Sequence, residues 1–371
     1  MEAVLVVVAD SAAVARAVSS NLISEPEFWQ RLLAAEMSPM KAEAVLNDLS
    51  PSSIGPGSIE GLLKHPLLTD AERQRAKSAR MNEADWCSDP TLRLLFGEHL
   101  PEPLREIPAP PPAIYAWGDV SALNGPTVAI VGTRNASTYG KACAQKFAEA
   151  LARAGVVVVS GGALGIDAAA HKGALAVDGQ TVAVLATGVD DVYPAVHSGL
   201  FGQIRQRGCL VSQFALGSRV SDYKFLMRNG LIAALSLAIL VIEAPARSGA
   251  LSTAQAAADM GREVFVVPAG IDHRGFGGSF ALIRDGATLV NHPDQILESL
   301  GIDPREALAA AMEPASSLGE HILSVLTTQP IATEMIVALV NQDASEILSE
   351  LTMLELDGRV IRDGIGYAIK P

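Results

Sequence analysis

Between residues 127 and 290 the chain alternates short apolar runs with stretches whose apolar residues recur every three or four positions. The runs Thr127–Val131, Val156–Ser160, Thr181–Leu185, Leu210–Phe214, Ala238–Glu243 and Glu263–Val267 are largely unbroken and rich in β-branched residues. Unbroken runs of that length predict strands buried on both faces, as in a parallel sheet. A short one follows at Ala287–Val290. Helical spacing fills the intervals at Lys141–Ala154, Ala168–Val177, Asn229–Ala234 and Leu251–Met260. Repeated strand, turn and helix predict an α/β fold, Rossmann-like, with a doubly wound, mostly parallel sheet that binds ligands at the carboxyl ends of its strands.

The flanks have different periods. Residues 25–97 read as short amphipathic helices at Glu27–Glu36, Lys41–Leu49 and Ile59–Leu63, separated by Ser and Pro breaks. Pro101 to Pro112 includes three consecutive prolines and reads as a stiff, extended connector, with a short strand at Ile114–Trp117 after it. Beyond a linker at Ala311–Leu318, helices at Glu320–Leu326, Thr333–Leu339 and Ala344–Leu354 precede a hairpin at Arg359–Ile369. Three helices and a hairpin are the winged-helix layout. The expected domains are a small all-α one at 1–97, the Rossmann-like one at 98–300 and a C-terminal winged helix at 315–371.

Composition narrows the class. A 371-residue chain that is 49% apolar is globular, with room for more than one domain. No apolar run is long enough to predict a membrane span. The start, Met1 to Asp10, is apolar but short and lacks a basic lead, so no signal peptide is expected. Cys87, Cys143 and Cys209 are odd in number and widely spaced, which suits a reducing cytoplasm and predicts neither a disulfide framework nor a metal site. The net charge of −13 argues against a polyanionic partner, but it is uneven. Residues 1–117 carry −6, residues 118–292 carry +2, and residues 293–371 carry −9. A polyanion would be directed to the middle third and repelled by both ends.

That middle third holds three strand–turn–helix junctions suited to anions. The first is Gly132-Thr133-Arg134 with Ser137, the second Ser160-Gly161-Gly162 running on to Asp167, the third Arg247-Ser248-Gly249. Glycine lets backbone N–H groups approach a ligand, a helix N-terminus adds positive potential, and arginine grips phosphate with two donors. Between them lies Asp222-Tyr223-Lys224-Phe225-Leu226-Met227-Arg228-Asn229. Its two cations and two aromatics form the mixture that holds a single nucleic-acid strand, charge for the backbone and rings for the bases. Neither G-x-G-x-x-G nor a P-loop pattern occurs, so neither a dinucleotide nor any other cofactor is expected.

The remaining chemistry-bearing residues have plainer explanations. His171 sits in an Ala-rich stretch and reads as packed. Asp167 reads as a helix-start residue, Glu243 as an ion-pair partner of Arg247, and Tyr115 and Trp117 as packing residues. The Asp190-Asp191 pair has no neighbouring His or Cys to make a metal site. No residue is assigned a catalytic role.

Several strings together resemble the DprA/Smf family of DNA-processing proteins. They are Pro110 to Tyr115 with Gly118, Val131 to Arg134, Ser160 to His171, Thr187 to Asp190 with Tyr193-Pro194, Phe225 with Arg228-Asn229, Arg247 to Leu251, Gly261 to Phe265 and Leu282 to Ala287. They span roughly residues 101–292 in family order, and the tail from Ile322 to Tyr367 is similar to the winged-helix end of many members. The resemblance implies a dimeric single-stranded DNA binder of natural transformation that delivers the recombinase RecA onto the strand. It carries DNA contact to Arg134, Ser160, Gly161, Lys224, Phe225, Arg228 and Asn229. The sequence departs from the family at Leu164 and Gly230, where basic residues are usual, at Gln213, where an acid is usual, and at Phe280, where Asn is usual.

Two functions follow from the residues. One is a non-enzymatic strand binder and recombination mediator. The other is a nucleotide-handling enzyme of the phosphoribohydrolase type, using the same turns for one nucleotide with Asp167 or Glu243 as its acid. The Ala344–Leu354 helix has two Glu and neither Lys nor Arg, so the winged helix is expected to contact protein rather than duplex DNA.

Overall fold

The β-branched runs pair into one nine-stranded sheet. The computed structural model describes residues 24–49, 56–79, 89–302, 317–327, 330–356, 359–363 and 366–369. The segment Met1 to Asp10, Cys87 and the linker as far as residue 316 lie outside them. The central strands are β3 (Thr127–Val131), β4 (Val157–Ser160), β5 (Thr181–Val184), β6 (Cys209–Ser212), β7 (Ala238–Val241), β8 (Glu263–Val266) and β9 (Thr288–Leu289). All pair in parallel. From β6 to β3 the chain builds one half of the sheet; β7 to β9 build the other, so the topological switch point falls between β3 and β7.

Two strands extend the sheet antiparallel. β2 (Ala113–Gly118) pairs with β6, and β1 (Leu92–Phe96) pairs with β2, giving the order β1-β2-β6-β5-β4-β3-β7-β8-β9. β1 lies before the boundary expected at residue 97 and belongs to the sheet. All five of its residues are only half-buried, so it carries neither a buried-strand run nor a clean alternation. The proline-rich connector is not extended throughout. Glu102–Arg105 forms a one-turn helix, α5, with proline near its start, where a missing N–H costs nothing.

Apolar side chains cover both faces of the sheet. Ile114, Ala116, Ala129, Val131, Val159 and Val184 pack with the buried faces of α9 (Asp222–Ala234) and α10 (Gly249–Asp259). The alternate residues Ala113, Tyr115, Ala183 and Leu210 pack with Leu200, Phe201 and Ile204 of α8 (Ser198–Arg207). α6 (Thr138–Arg153) turns Gly140, Ala144, Phe147, Ala148 and Leu151 inward, a helical stripe that follows from its sequence spacing. α7 (Ile166–Ala176) lies between β4 and β5 in the chain, and α11 (Gly277–Arg284) and α12 (Asp294–Ser299) follow β8 and β9.

The front helices are α1 (Ser24–Ala34), α2 (Pro39–Asp48), α3 (Pro56–Lys64) and α4 (Asp70–Ser78). They share a core with the sheet: Phe28, Trp29, Leu32, Val45 and Leu62 cluster with Tyr115, Leu185 and Phe201. Trp29 stacks on Phe96 of β1 at 4.6 Å. Gln30, 2% exposed, accepts from the Tyr115 hydroxyl at 2.8 Å and donates to Leu216 O at 3.1 Å. The front helices are thus a layer on the α/β body, and the chain divides into two compact units, residues 1–304 and 305–371.

The second unit has α13 (Ser317–Val325), α14 (Thr333–Val340), α15 (Ala344–Leu356) and a hairpin of β10 (Val360–Asp363) and β11 (Gly366–Ile369). Its own core includes Ile322, Ile336, Ile347, Leu351 and Tyr367. This is the winged-helix arrangement read from the sequence. Among the described residues no helix is long and apolar enough to cross a membrane.

Candidate functional site

The carboxyl ends of β3, β4 and β5 open into a cleft enclosing about 410 Å³, solvent included. Its lining comes from four chain segments: Arg134 after β3, Gly161, Ala163 and Leu164 after β4, Ala186, Thr187, Tyr193 and Pro194 after β5, and Phe225 and Arg228 on α9. The predicted first and second turns meet here, and α9 closes the site.

α9 is longer at its start than the sequence indicated. The segment 222–229, read as a strand-holding stretch ahead of a helix at Asn229, forms the first two turns of α9 itself. The buried face of those turns carries Lys224, Arg228 and Asn229, so their polarity hid the helical period. The helix fixes spacing: Phe225 and Arg228, three apart, share one side.

At the rim the exposed Arg134 guanidinium lies over the Phe225 ring at 4.5 Å. The Tyr193 ring stands 6.1 Å from Phe225. Beneath them Arg228 is 5% exposed. Its Nη1 donates to Val184 O at 3.2 Å and lies 4.0 Å from Asp167 Oδ2, and its Nε has no hydrogen-bond partner among the described residues. Gly161 makes this position possible, because a Cβ there would lie 1.4 Å from Arg228 Nη1. Burial lowers the pKa of Arg228, opposed by the Asp167 carboxylate. Burial raises the pKa of Asp167, opposed by the Arg228 charge and by the bond from Ala163 N.

Gly165 locks the first turn onto the second. It has φ +81°, and a Cβ on it would meet Thr133 O at 2.3 Å and Arg134 O at 2.6 Å. The next residue, Ile166, donates its N–H to Thr133 O at 3.2 Å. The backbone that presents Arg134 therefore rests directly on the glycine turn.

Each predicted anion turn already holds a protein acceptor. Ser137 N and Oγ donate to Glu243 Oε2 at 2.9 and 2.7 Å, so a carboxylate occupies the N-terminus of α6 at the β3/β7 switch point. Glu243 is therefore paired with Ser137 and not with Arg247, which is exposed. Asp167 accepts from Ala163 N at 3.2 Å, and Ser248 Oγ accepts from Ala250 N at 3.3 Å.

The other predicted site residues separate into exposed and internal groups. Gly132 and Thr133 border Arg134, and Gly162 follows Gly161 in the buried part of the second turn. Ser160 is fully buried and donates to Ile130 O at 2.7 Å. Asn229, 8% exposed, donates to Gly249 O and Ser252 Oγ, tying α9 to the third turn. Lys224, 5% exposed, donates to Ser218 Oγ and Arg219 O and is ion-paired to Glu36. Arg247, Ser248 and Gly249 lie after β7 and do not line the cleft. Tyr193 and Thr187, which do line it, had appeared only within the family-like strings; Tyr193 beside Pro194 was the available signal.

His171 packs as expected and is fully buried. Thr181 Oγ1 donates to Val158 O at 2.6 Å, so the 2.7 Å contact with His171 Nδ1 requires an Nδ1–H donor and leaves Nε2 bare. Burial, then the neighbouring His197 and Arg228, push this imidazole down to about 3. An unfolded histidine titrates at about 6.5, so between these values the unfolded chain binds the extra proton. The stability contribution is present above about pH 6.5 and is lost as pH falls toward 3, by roughly 3–5 kcal/mol at the acid end. Denaturant unfolding of wild type and His171→Asn from pH 8 to pH 4 checks this. The wild-type advantage should shrink with acidification, and a pH-independent difference would refute the assignment. Among the described residues no group of three His, Cys, Asp or Glu is placed to hold a metal.

A family model described as DNA recombination-mediator protein A matches residues 92–301, and one described as DprA winged helix domain matches residues 306–364. Protein Smf of Synechocystis is 34% identical over 306 residues, 72% of this chain and 77% of that protein. Protein Smf of Escherichia coli is 34% identical over 301 residues, 76% of this chain and 78% of that protein. The X-ray structure of DNA processing protein A from Streptococcus pneumoniae superposes with a TM-score of 0.62 at 28% identity, over 72% of this chain and 95% of that one. DNA processing protein A from Helicobacter pylori, whose structure concerns its single-stranded DNA binding mode, superposes with a TM-score of 0.51 at 30% identity, over 56% of this chain and 95% of that one.

Proposed function

The chain belongs to the DprA/Smf family, and from that premise we propose that it binds single-stranded DNA at the carboxyl edge of its sheet and acts, as a cytoplasmic dimer without catalysis, to load RecA onto the strand in natural transformation and recombination. The observation that carries the reading is the rim pair, Arg134 stacked over Phe225 above the buried, under-satisfied Arg228. An aromatic ring accepts a base of any identity, and an adjacent guanidinium meets the backbone that follows. The single-stranded DNA binding mode of the Helicobacter pylori relative supports the same choice.

In this reading Arg134, Gly161, Phe225 and Arg228 form the contact surface in the cleft, with Gly132, Thr133 and Gly162 beside it in the same two turns. Arg247, Ser248 and Gly249 extend it across β7, with Ser160 and Asn229 bracing it from inside. The rival reading, a phosphoribohydrolase-like enzyme, needs room for a nucleotide phosphate at the switch point. There the Glu243 carboxylate takes the Ser137 donors such a phosphate would use. Its remaining acid, Asp167, lies beneath Gly161 and beside Arg228.

Binding to a labelled oligothymidylate, with matched duplex and a mononucleotide as competitors, separates the two. The strand binder holds the oligomer with steep salt dependence, is competed weakly by duplex and is indifferent to the mononucleotide. Saturable competition by the mononucleotide alone would favour the enzyme.

A further inference from the structure

Lys224 carried an expectation of DNA contact, yet its ammonium faces inward. It donates to Ser218 Oγ at 2.6 Å and to Arg219 O at 3.0 Å, and Glu36 Oε1 lies 2.8 Å away. Those three acceptors match its three hydrogens. Glu36 comes from the helical layer, just beyond the end of α1. Its other oxygen, Oε2, accepts from the Tyr223 hydroxyl and lies 3.7 Å from Arg75 Nε. Burial, then Glu36, pushes the Tyr223 phenol up to about 12, so it stays a donor.

Two backbone observations give this cluster a task. Glu36 has φ +56°, a left-handed conformation that helix ends usually assign to glycine. A glutamate there accepts a strained backbone, which its side-chain bonds offset. At the other end of the cluster, Ser221 occupies the N-cap position of α9 but makes no capping bond. An uncapped first turn tends to fray. That turn carries Tyr223, Lys224 and Phe225, and Arg228 follows one turn later.

We propose that Glu36 is a positioning residue of the strand-binding cleft: through its ion pair with the buried Lys224 and its bond from Tyr223, the helical layer holds the uncapped first turn of α9, so that Phe225 lies under Arg134 and Arg228 stays in the cleft floor. Lys224 then acts through Glu36 and touches no phosphate. The inference rests on the reading of the cleft as a single-strand site.

The experiment uses the full chain and an oligothymidylate, with affinity measured as a function of salt. The variants are Glu36→Ala, Glu36→Gln, Lys224→Ala, the double Glu36→Ala/Lys224→Ala, and the exchange Glu36→Lys/Lys224→Glu. Each alanine variant should weaken binding roughly tenfold, as couplings between adjoining elements do. The double should be little worse than either single, because both remove one interaction. The salt slope should stay that of the wild type, and the exchange variant should recover part of the loss. Hydrogen exchange should quicken at the amides of residues 224–227 in Glu36→Ala and stay slow in the sheet. Glu36→Gln, which keeps shape and an acceptor oxygen, should lose less affinity than Glu36→Ala.

A lysine that grips phosphate would instead flatten the slope by about 0.7 on removal, and its loss would add to that of Glu36→Ala; that result overturns the proposal. So does wild-type affinity in Glu36→Ala. If the wild type itself binds no oligothymidylate, the strand-site reading fails and the inference falls with it. Wild-type binding with unaffected variants sinks the positioning role alone.

Discussion

Phe225→Ala should weaken oligothymidylate binding by about 1–3 kcal/mol, the value of one base–aromatic stack, which is roughly 5–150-fold in Kd. The ring is half-buried, lines the cleft and lies beneath the Arg134 guanidinium at 4.5 Å, so its removal takes away both the platform and the support of the cation. The variant should fold normally, because a side chain at the rim leaves no closed cavity. Arg134→Ala should differ in kind. It should lower affinity and also reduce the salt slope by about 0.7, since one counterion-releasing contact is gone. Equilibrium titrations at several salt concentrations separate the two effects. Equal slopes for wild type and Arg134→Ala would place Arg134 away from the phosphates.

Gly165→Ala should have the largest effect on stability. A methyl group there meets two backbone carbonyls, Thr133 O at 2.3 Å and Arg134 O at 2.6 Å, on a residue already at φ +81°. Neither oxygen sits on a flexible side chain. Relief therefore requires moving the turn that presents Arg134 away from the start of α7. The expected loss is roughly 3–5 kcal/mol, the range reserved for backbone strain combined with a clash. Urea unfolding followed by circular dichroism measures it. A change within about 0.5 kcal/mol would show that the two turns are not locked together.

The sheet was the most legible part of the chain. Val157–Ser160 and Thr127–Val131 lie between neighbours with both faces covered, so each of their residues is buried and the apolar run is continuous. Leu92–Phe96 was missed for the opposite reason: an outer strand, half-buried throughout, carries Arg93 among its leucines. The start of α9 was masked by Lys224 and Arg228, charged residues on its buried face whose partners lie elsewhere in the chain. Those partners explain what could not be read from sequence at all. Glu36 meets Lys224 across 188 positions, and Glu243 meets Ser137 across 106, and no local pattern encodes either pair. Turns confined to short strings, such as Val131 to Arg134 and Ser160 to Asp167, were legible as turns at strand ends; that each already holds an internal acceptor was not.

On the proposed reading a single strand lies in the cleft formed by the ends of β3, β4 and β5 with α9. Ultraviolet cross-linking of the full chain to an oligothymidylate, followed by identification of the modified peptides, tests that placement most directly. Stacked bases should attach to Phe225 or Tyr193, and Phe225→Ala should remove the first of these adducts. Adducts confined to residues 305–371, or to the front helices, with none at Phe225 or Tyr193, would place the strand outside the cleft.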